Sequence, residues 1–120
     1  MESKPRFVSL TRRSDFLSLR SDGKSLHINA WLLVNFRATS LNTVRCGWTI
    51  SRQVGTAVVR NRLRRWGREF IRAWAPRASG GVDMNLVFQR QERGFYSELS
   101  HEEMDAVLAK MVGKLDRYLE

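Results

Sequence analysis

Apolar positions along this chain fall into two helical stripes and a set of strand-like alternations. Between Arg52 and Trp74, at about 100° per residue, Val59, Leu63, Trp66, Phe70 and Trp74 gather on one narrow stripe. Arg60, Asn61, Arg64, Arg65, Arg68 and Arg72 gather opposite it. Thr56 is placed to cap the start of this helix, and Pro76 ends it. The second stripe runs through Met104, Val107, Leu108, Met111, Val112, Leu115, Tyr118 and Leu119. Ser100 and Glu103 open it with the spacing of a capping box.

Upstream the signals are shorter. Residues 1–10 are polar and basic, with Pro5 against an early helix, and predict a loosely ordered arm. A short helix is expected from Thr11 to Arg20, stopped by Ser21-Asp22-Gly23. Leu26 and Ile28 mark a first strand. Ala30 to Phe36, apolar on both faces, marks a second strand or the continuation of the first. After a polar turn, Arg45 to Ser51 alternates: Cys46, Trp48 and Ile50 one way, Arg45, Gly47, Thr49 and Ser51 the other. Val82, Met84, Leu86 and Phe88 form the last strand, and Gln89 to Leu99 a charged connection. The order α-β-β-β-α-β-α predicts a single α+β domain over residues 1–120, with one four-stranded sheet whose one face is covered by helices.

Charge changes the picture. The chain carries a net +9, and 16 of its 21 Lys+Arg but only 4 of its 12 Asp+Glu precede Ala78. A solvated helix face normally mixes both signs, whereas the arginine face is interrupted only by Glu69. Guanidinium forks match phosphate oxygens two at a time, so the pattern predicts a polyanion-binding helix. A protein nuclease would need carboxylates for metals or histidines for acid–base work, yet residues 23–68 contain no Asp or Glu, and His27 and His101 lie far apart. Gly55-Thr56 lacks the ending of a phosphate-binding loop. These features describe a binder rather than a self-sufficient catalyst. Lone Cys46 excludes an internal disulfide and suits a reducing cytoplasm; no membrane span or secretory signal is expected.

The run Gly55-Thr56-Ala57-Val58-Val59-Arg60-Asn61-Arg62-Leu63-Arg64-Arg65, followed by Arg68-Glu69-Phe70, resembles the signature of the bacterial ribonuclease P protein component. The likeness extends to Arg45–Arg52 and to Asp15-Phe16 and Gly23, covering nearly the whole chain. It implies a left-handed βαβ crossover, in a fold shared with a domain of a small-subunit ribosomal protein. It also implies a role as the protein subunit of an endoribonuclease whose RNA subunit is the catalyst, with Mg²⁺ ions bound mainly by that RNA. The implied partners are the catalytic RNA and precursor tRNA, whose 5′ leader is removed; no obligate protein partner is implied. Arg52, Arg60, Asn61, Arg62, Arg64, Arg65 and Arg68 would then bind the catalytic RNA, and Phe16, Val34, Thr49 and Ser51 would line a leader cleft.

Three positions fit two roles. Arg62, at the edge of the apolar stripe, suits RNA contact or the bracing of a neighbouring loop. Phe16 suits the core or the cleft. Gly67, inside the helix at a cost of about 1 kcal/mol against alanine, suits close approach of RNA or a tolerated weakness. Val34, like Arg20, stands where other family members carry an aromatic, which thins the stacking surface. The alternative reading for the whole chain is a structural RNA-binding protein of ribosomal type.

Overall fold

The computed structural model describes residues 4–120. Five strands form one sheet, in the order β1-β4-β5-β3-β2. They are β1 (Arg6–Ser9), β2 (Lys24–His27), β3 (Leu32–Thr39), β4 (Thr43–Ile50) and β5 (Gly81–Phe88). The helices are α1 (Arg13–Asp22), α2 (Ala57–Trp74), α3 (Phe95–Glu98) and α4 (His101–Leu119). β5 lies between β3 and β4, antiparallel to the first and parallel to the second, so β4-α2-β5 is a crossover unit.

The expected four-stranded sheet is therefore corrected to five. The extra strand comes from the arm: Arg6–Ser9 pairs in parallel with Thr43–Cys46, and Leu10 behind it is buried. Parallel partners are distant in sequence, and four residues with a single aromatic carry no local signal of such pairing. Residues 1–3 of that arm lie outside the described part. β2 and β3 are separate strands of an antiparallel pair. Between them the Asn29 side chain accepts hydrogen bonds from the Trp31 and Leu32 amides, an Asx turn that ends the first run before the second begins.

The strand period of two sorts residues between the sheet's faces. Val34, Phe36, Val44, Cys46, Ile50, Val82, Met84, Leu86 and Phe88 form the core with α2 and α4. From α2 this core takes Val59, Leu63, Trp66, Gly67, Ile71 and Trp74. The buried stripe is turned slightly from the expected one, because Ile71 is fully buried and Phe70 only partly. α4 contributes Met104, Leu108, Met111, Val112 and Leu115, and its Ser100–Glu103 capping box is formed. Hydrogen bonds from Ser100 hold the Glu103 carboxyl below its usual range. Burial pushes the Cys46 thiol well up, so it behaves as a small core hydrophobe.

Helices do not keep to one face. α1 packs on the opposite one, where Arg37 donates to Ser18 Oγ and Arg45 faces Asp15. Within the charged connection, α3 supplies buried Tyr96, which meets Trp31 edge-on and donates its hydroxyl to the Gln89 and Trp31 carbonyls.

Candidate RNA-binding surfaces

α2 begins as its sequence dictates, with Thr56 Oγ1 accepting from the Val59 amide at 3.3 Å. Arg60, Asn61, Arg64, Arg65, Arg68 and Arg72 all remain partly or fully exposed. Arg60 donates to the Gly55 carbonyl, and Arg64 to Asn61 Oδ1 at 3.0 Å. Neither contact neutralises charge. Among the described residues, the arginines and lysines that form ion pairs with carboxylates are Arg37 and Arg45, both elsewhere. The arginine face therefore carries uncompensated positive charge. Arg52 is exposed in the single 3-10 turn before α2 and shares a hollow with Thr56, Ser97 and Arg93, the last unsuspected from sequence.

Arg62 departs from this set. Its Nη2 donates to the carbonyls of Tyr96 (2.9 Å) and Ser97 (3.1 Å), and its guanidinium lies 4.9 Å from the Trp66 ring. Trp66 in turn stacks on His101, centroids 4.7 Å apart and planes 5° from parallel. Arg62 thus braces α3 against α2, the second of its two readings. Gly67 is resolved in a similar way. It is buried, and a β-carbon there would lie 2.5 Å from Cζ3 of Trp48. The glycine admits an indole from β4 rather than RNA.

The second surface lies on the α1 side of the sheet. Phe16, Leu17 and Arg20 of α1 face Leu33, Asn35, Thr49, Asn85 and Val87 across a groove of about 330 Å³. Its floor is polar where a sheet face under a helix is usually apolar. Asn35 and Asn85, 8% and 5% exposed, are register partners in the middle strands. Asn85 donates to Thr49 Oγ1 at 2.9 Å, and Asn35 Oδ1 accepts from Ser25. Further along the same face, Asp83 is 2% exposed and forms a two-pronged pair with Arg45 at 2.6 and 2.7 Å. Arg37 approaches the same carboxylate at 3.5 Å. The hydrogen bond and charge of Asp83, aided by Asp15, raise the Arg45 pKa against the cost of burial. Asp83 thus fixes both arginines that hold α1, and with it the wall of the groove.

Of the expected cleft residues, Phe16 and Thr49 line this groove. Val34 does not: it is fully buried on the helix-covered core face. Its neighbours Leu33 and Asn35 take the groove side, because one step along a strand reverses the side chain. Ser51 is exposed just past the end of β4 and is not part of the groove lining. Asn35 and Asn85 were missed, although the polar residues alternating with Val82, Met84 and Leu86 in β5 signal a second, polar sheet face. Among the described residues no group of three or more His, Cys, Asp or Glu is placed to hold a metal ion. No helix there is long and apolar enough to cross a membrane.

An uncompensated arginine helix on one side of a sheet and a polar groove walled by an aromatic on the other define an α+β nucleic-acid-binding domain. The chain belongs to the ribonuclease P protein family, whose model, described as Ribonuclease P, matches residues 5–115. The ribonuclease P protein component of Desulforapulum autotrophicum is 30% identical over 115 residues, covering 96% of this chain and 94% of the relative. That of Chloroflexus aurantiacus is 37% identical over 87 residues, 72% of this chain, and the match spans 64% of that relative's length. The RNase P protein of Thermotoga maritima superposes with a TM-score of 0.78 at 27% identity, covering 89% of this chain and 96% of its own. The Staphylococcus aureus protein, at 18% identity, shares the fold with a TM-score of 0.77 over 93% of this chain and 97% of its own.

Proposed function

We propose that this chain serves as the protein component of ribonuclease P, binding the catalytic RNA along α2 and the 5′ leader of precursor tRNA in the groove beside α1. The observation that carries the reading is the placement of two different surfaces on opposite sides of one sheet. An arginine face without ion pairs suits a folded RNA backbone, and a groove with an aromatic wall suits an unpaired strand. Arg52, Arg60, Asn61, Arg64, Arg65 and Arg68 are assigned to the catalytic RNA, and Phe16, Arg20, Asn35, Thr49 and Asn85 to the leader.

The protein's own residues do not fit a resident Mg²⁺. The carboxylates nearest the groove, Asp15 and Asp83, face Arg45 and Arg37. Mg²⁺ is accordingly assigned to the RNA, and hydrolysis with it. The protein's part is to hold the leader in place, in the cytoplasm where precursor tRNA is made. The family likeness also supports a left-handed path for β4-α2-β5.

The test is to add the purified chain to a bacterial catalytic RNA and follow precursor-tRNA cleavage at low Mg²⁺. Stimulation is expected. Phe16→Ala should weaken precursor binding about 5- to 150-fold, the worth of one base–aromatic stack, and leave mature-tRNA affinity unchanged. Absence of stimulation would favour a structural RNA-binding protein of ribosomal type. Equal losses for precursor and mature tRNA would remove Phe16 from the leader site.

A further inference from the structure

The strand that sequence did not foresee creates a third surface. At the edge of the sheet β1 lies beside the C-terminal end of α2, and a groove of about 550 Å³ opens between them. Its lining is Lys4, Pro5, Arg6, Phe7, Arg72 and Pro76. Three cations and no acid stand around an apolar floor that includes both prolines of the chain. None of the three cations forms an ion pair with a described carboxylate.

Register decides which surface this groove belongs to. Phe7 pairs with Val44, whose side chain is in the core under α2 and α4, whereas Val8 pairs with Arg45 on the α1 side. Phe7 therefore points to the arginine-helix side, away from the leader groove. Its ring carries the Arg72 guanidinium at 5.4 Å. Arg72 lies seven residues after Arg65 and four after Arg68, so the three share one face of α2. The backbone below is already fixed: the Arg6 amide donates to the Asn42 carbonyl, and Asn42 Nδ2 donates to the Lys4 carbonyl, each at 3.3 Å.

We propose that this groove takes an unpaired nucleotide of the RNA bound along α2, its base stacked on the outer plane of Arg72 and its phosphates held by Lys4 and Arg6. The inference rests on α2 being an RNA-binding helix. A guanidinium spread over an aromatic ring offers a second flat face, and unpaired bases stack on such planes. Lys4 and Arg6 are exposed at the groove's rim, where neutralising a phosphate costs no desolvation of the core. The RNA track would then run past the end of α2 onto β1.

Two variants separate stacking from charge, with a bacterial ribonuclease P RNA as the probe and affinity measured across a monovalent-salt series. Lys4→Glu with Arg6→Glu should weaken binding at least tenfold and flatten the log–log salt slope by about 1.4–1.8, the share of two phosphates. Arg72→Lys keeps the charge and loses the plane, so affinity should fall about 5- to 150-fold with the slope unchanged. Lys110→Glu with Arg117→Glu on exposed α4 makes the same change in net charge and should leave the slope as it is. An unchanged slope in the Lys4/Arg6 variant, an equal loss in the α4 control, or full affinity in Arg72→Lys overturns the proposal. Binding of the unmodified chain that ignores salt would instead overturn the reading of α2 itself. Melting curves of each variant identify any loss of folding, and in that case Lys4→Gln with Arg6→Gln carries the same test.

Discussion

The ring of Phe16 rests directly over Gly47, and a β-carbon on that glycine would come within 2.5 Å of the ring's Cζ. The pair explains how one aromatic serves two purposes. Its inner face is seated on bare sheet backbone, which fixes α1, while its rim lines the groove. Sequence alone presented these as rival roles, and packing on a glycine removes the rivalry.

Gly47→Ala should therefore act on the groove from below. The added methyl has to lift the ring and the helix that carries it, at an overpacking cost of about 1–3 kcal/mol. Precursor-tRNA affinity should drop as in Phe16→Ala, while affinity for the catalytic RNA stays at the parental value because α2 lies across the sheet. Paired binding measurements check this. Parental precursor binding would mean that α1 shifts without disturbing the groove.

Gly67 and Trp48 make the opposite-face counterpart. In a free helix, Gly→Ala gains about 1 kcal/mol, but here the methyl meets the Trp48 indole at 2.5 Å. The overpacking term is the larger, so Gly67→Ala should lose about 1 kcal/mol in urea denaturation. In a Trp48→Leu background the same change should become stabilising, a coupling that a double-mutant cycle reads directly. Stabilisation in the parental background would show that the indole has room to move.

What sequence could say followed from periodicity, and what it missed depended on distant partners. The arginine face, the Thr56 and Ser100 caps and the α4 stripe as far as Leu115 are local patterns, and each stands in the structure, whereas Tyr118 at the stripe's end is half exposed. β1 escaped because its partner is β4, beyond α1 and two intervening strands. Val34 was placed in the cleft by the family resemblance, and the unbroken apolar run Trp31 to Val34 has no visible phase that could have corrected it. The partner strand supplies that phase: Asn35 faces Asn85, and only then does the polar groove floor emerge. Gly67 fitted RNA approach or a tolerated weakness because the helix gives no hint of the indole across from it.

Arg62 stands apart from the exposed arginines proposed to bind RNA on the same helix. It is the one that reaches α3, donating to two backbone carbonyls and lying against Trp66. Arg62→Ala should cost about 2 kcal/mol, given charged hydrogen bonds worth roughly 1.5–3 kcal/mol. Arg65→Ala, on the exposed face, should cost under about 0.5 kcal/mol. RNA affinity should rank the other way round, with Arg65→Ala the more damaging once both proteins are folded. Equal stabilities would mean that α3 is held without Arg62.

The arginine face itself is tested by reversing Arg64 and Arg68. Neither forms an ion pair, and both lie on one face with Arg60, so the native helix bears repulsion that no ion pair among the described residues offsets. Replacing both with Glu makes the i,i+4 pairs with Arg60 and Arg72 attractive, each worth about 0.2–0.5 kcal/mol, while positions 64 and 68 remain a like-charged pair. The variant should melt no lower than the parent, and slightly higher in low salt. RNA binding should change in the other direction. Each lost phosphate contact removes about 0.7–0.9 from the log–log salt slope, so two contacts flatten it by roughly 1.4–1.8 and weaken binding most at low salt. Stability gained while affinity is lost marks residues kept for a partner rather than for the fold. A variant with the parental slope would place the RNA on another part of the molecule.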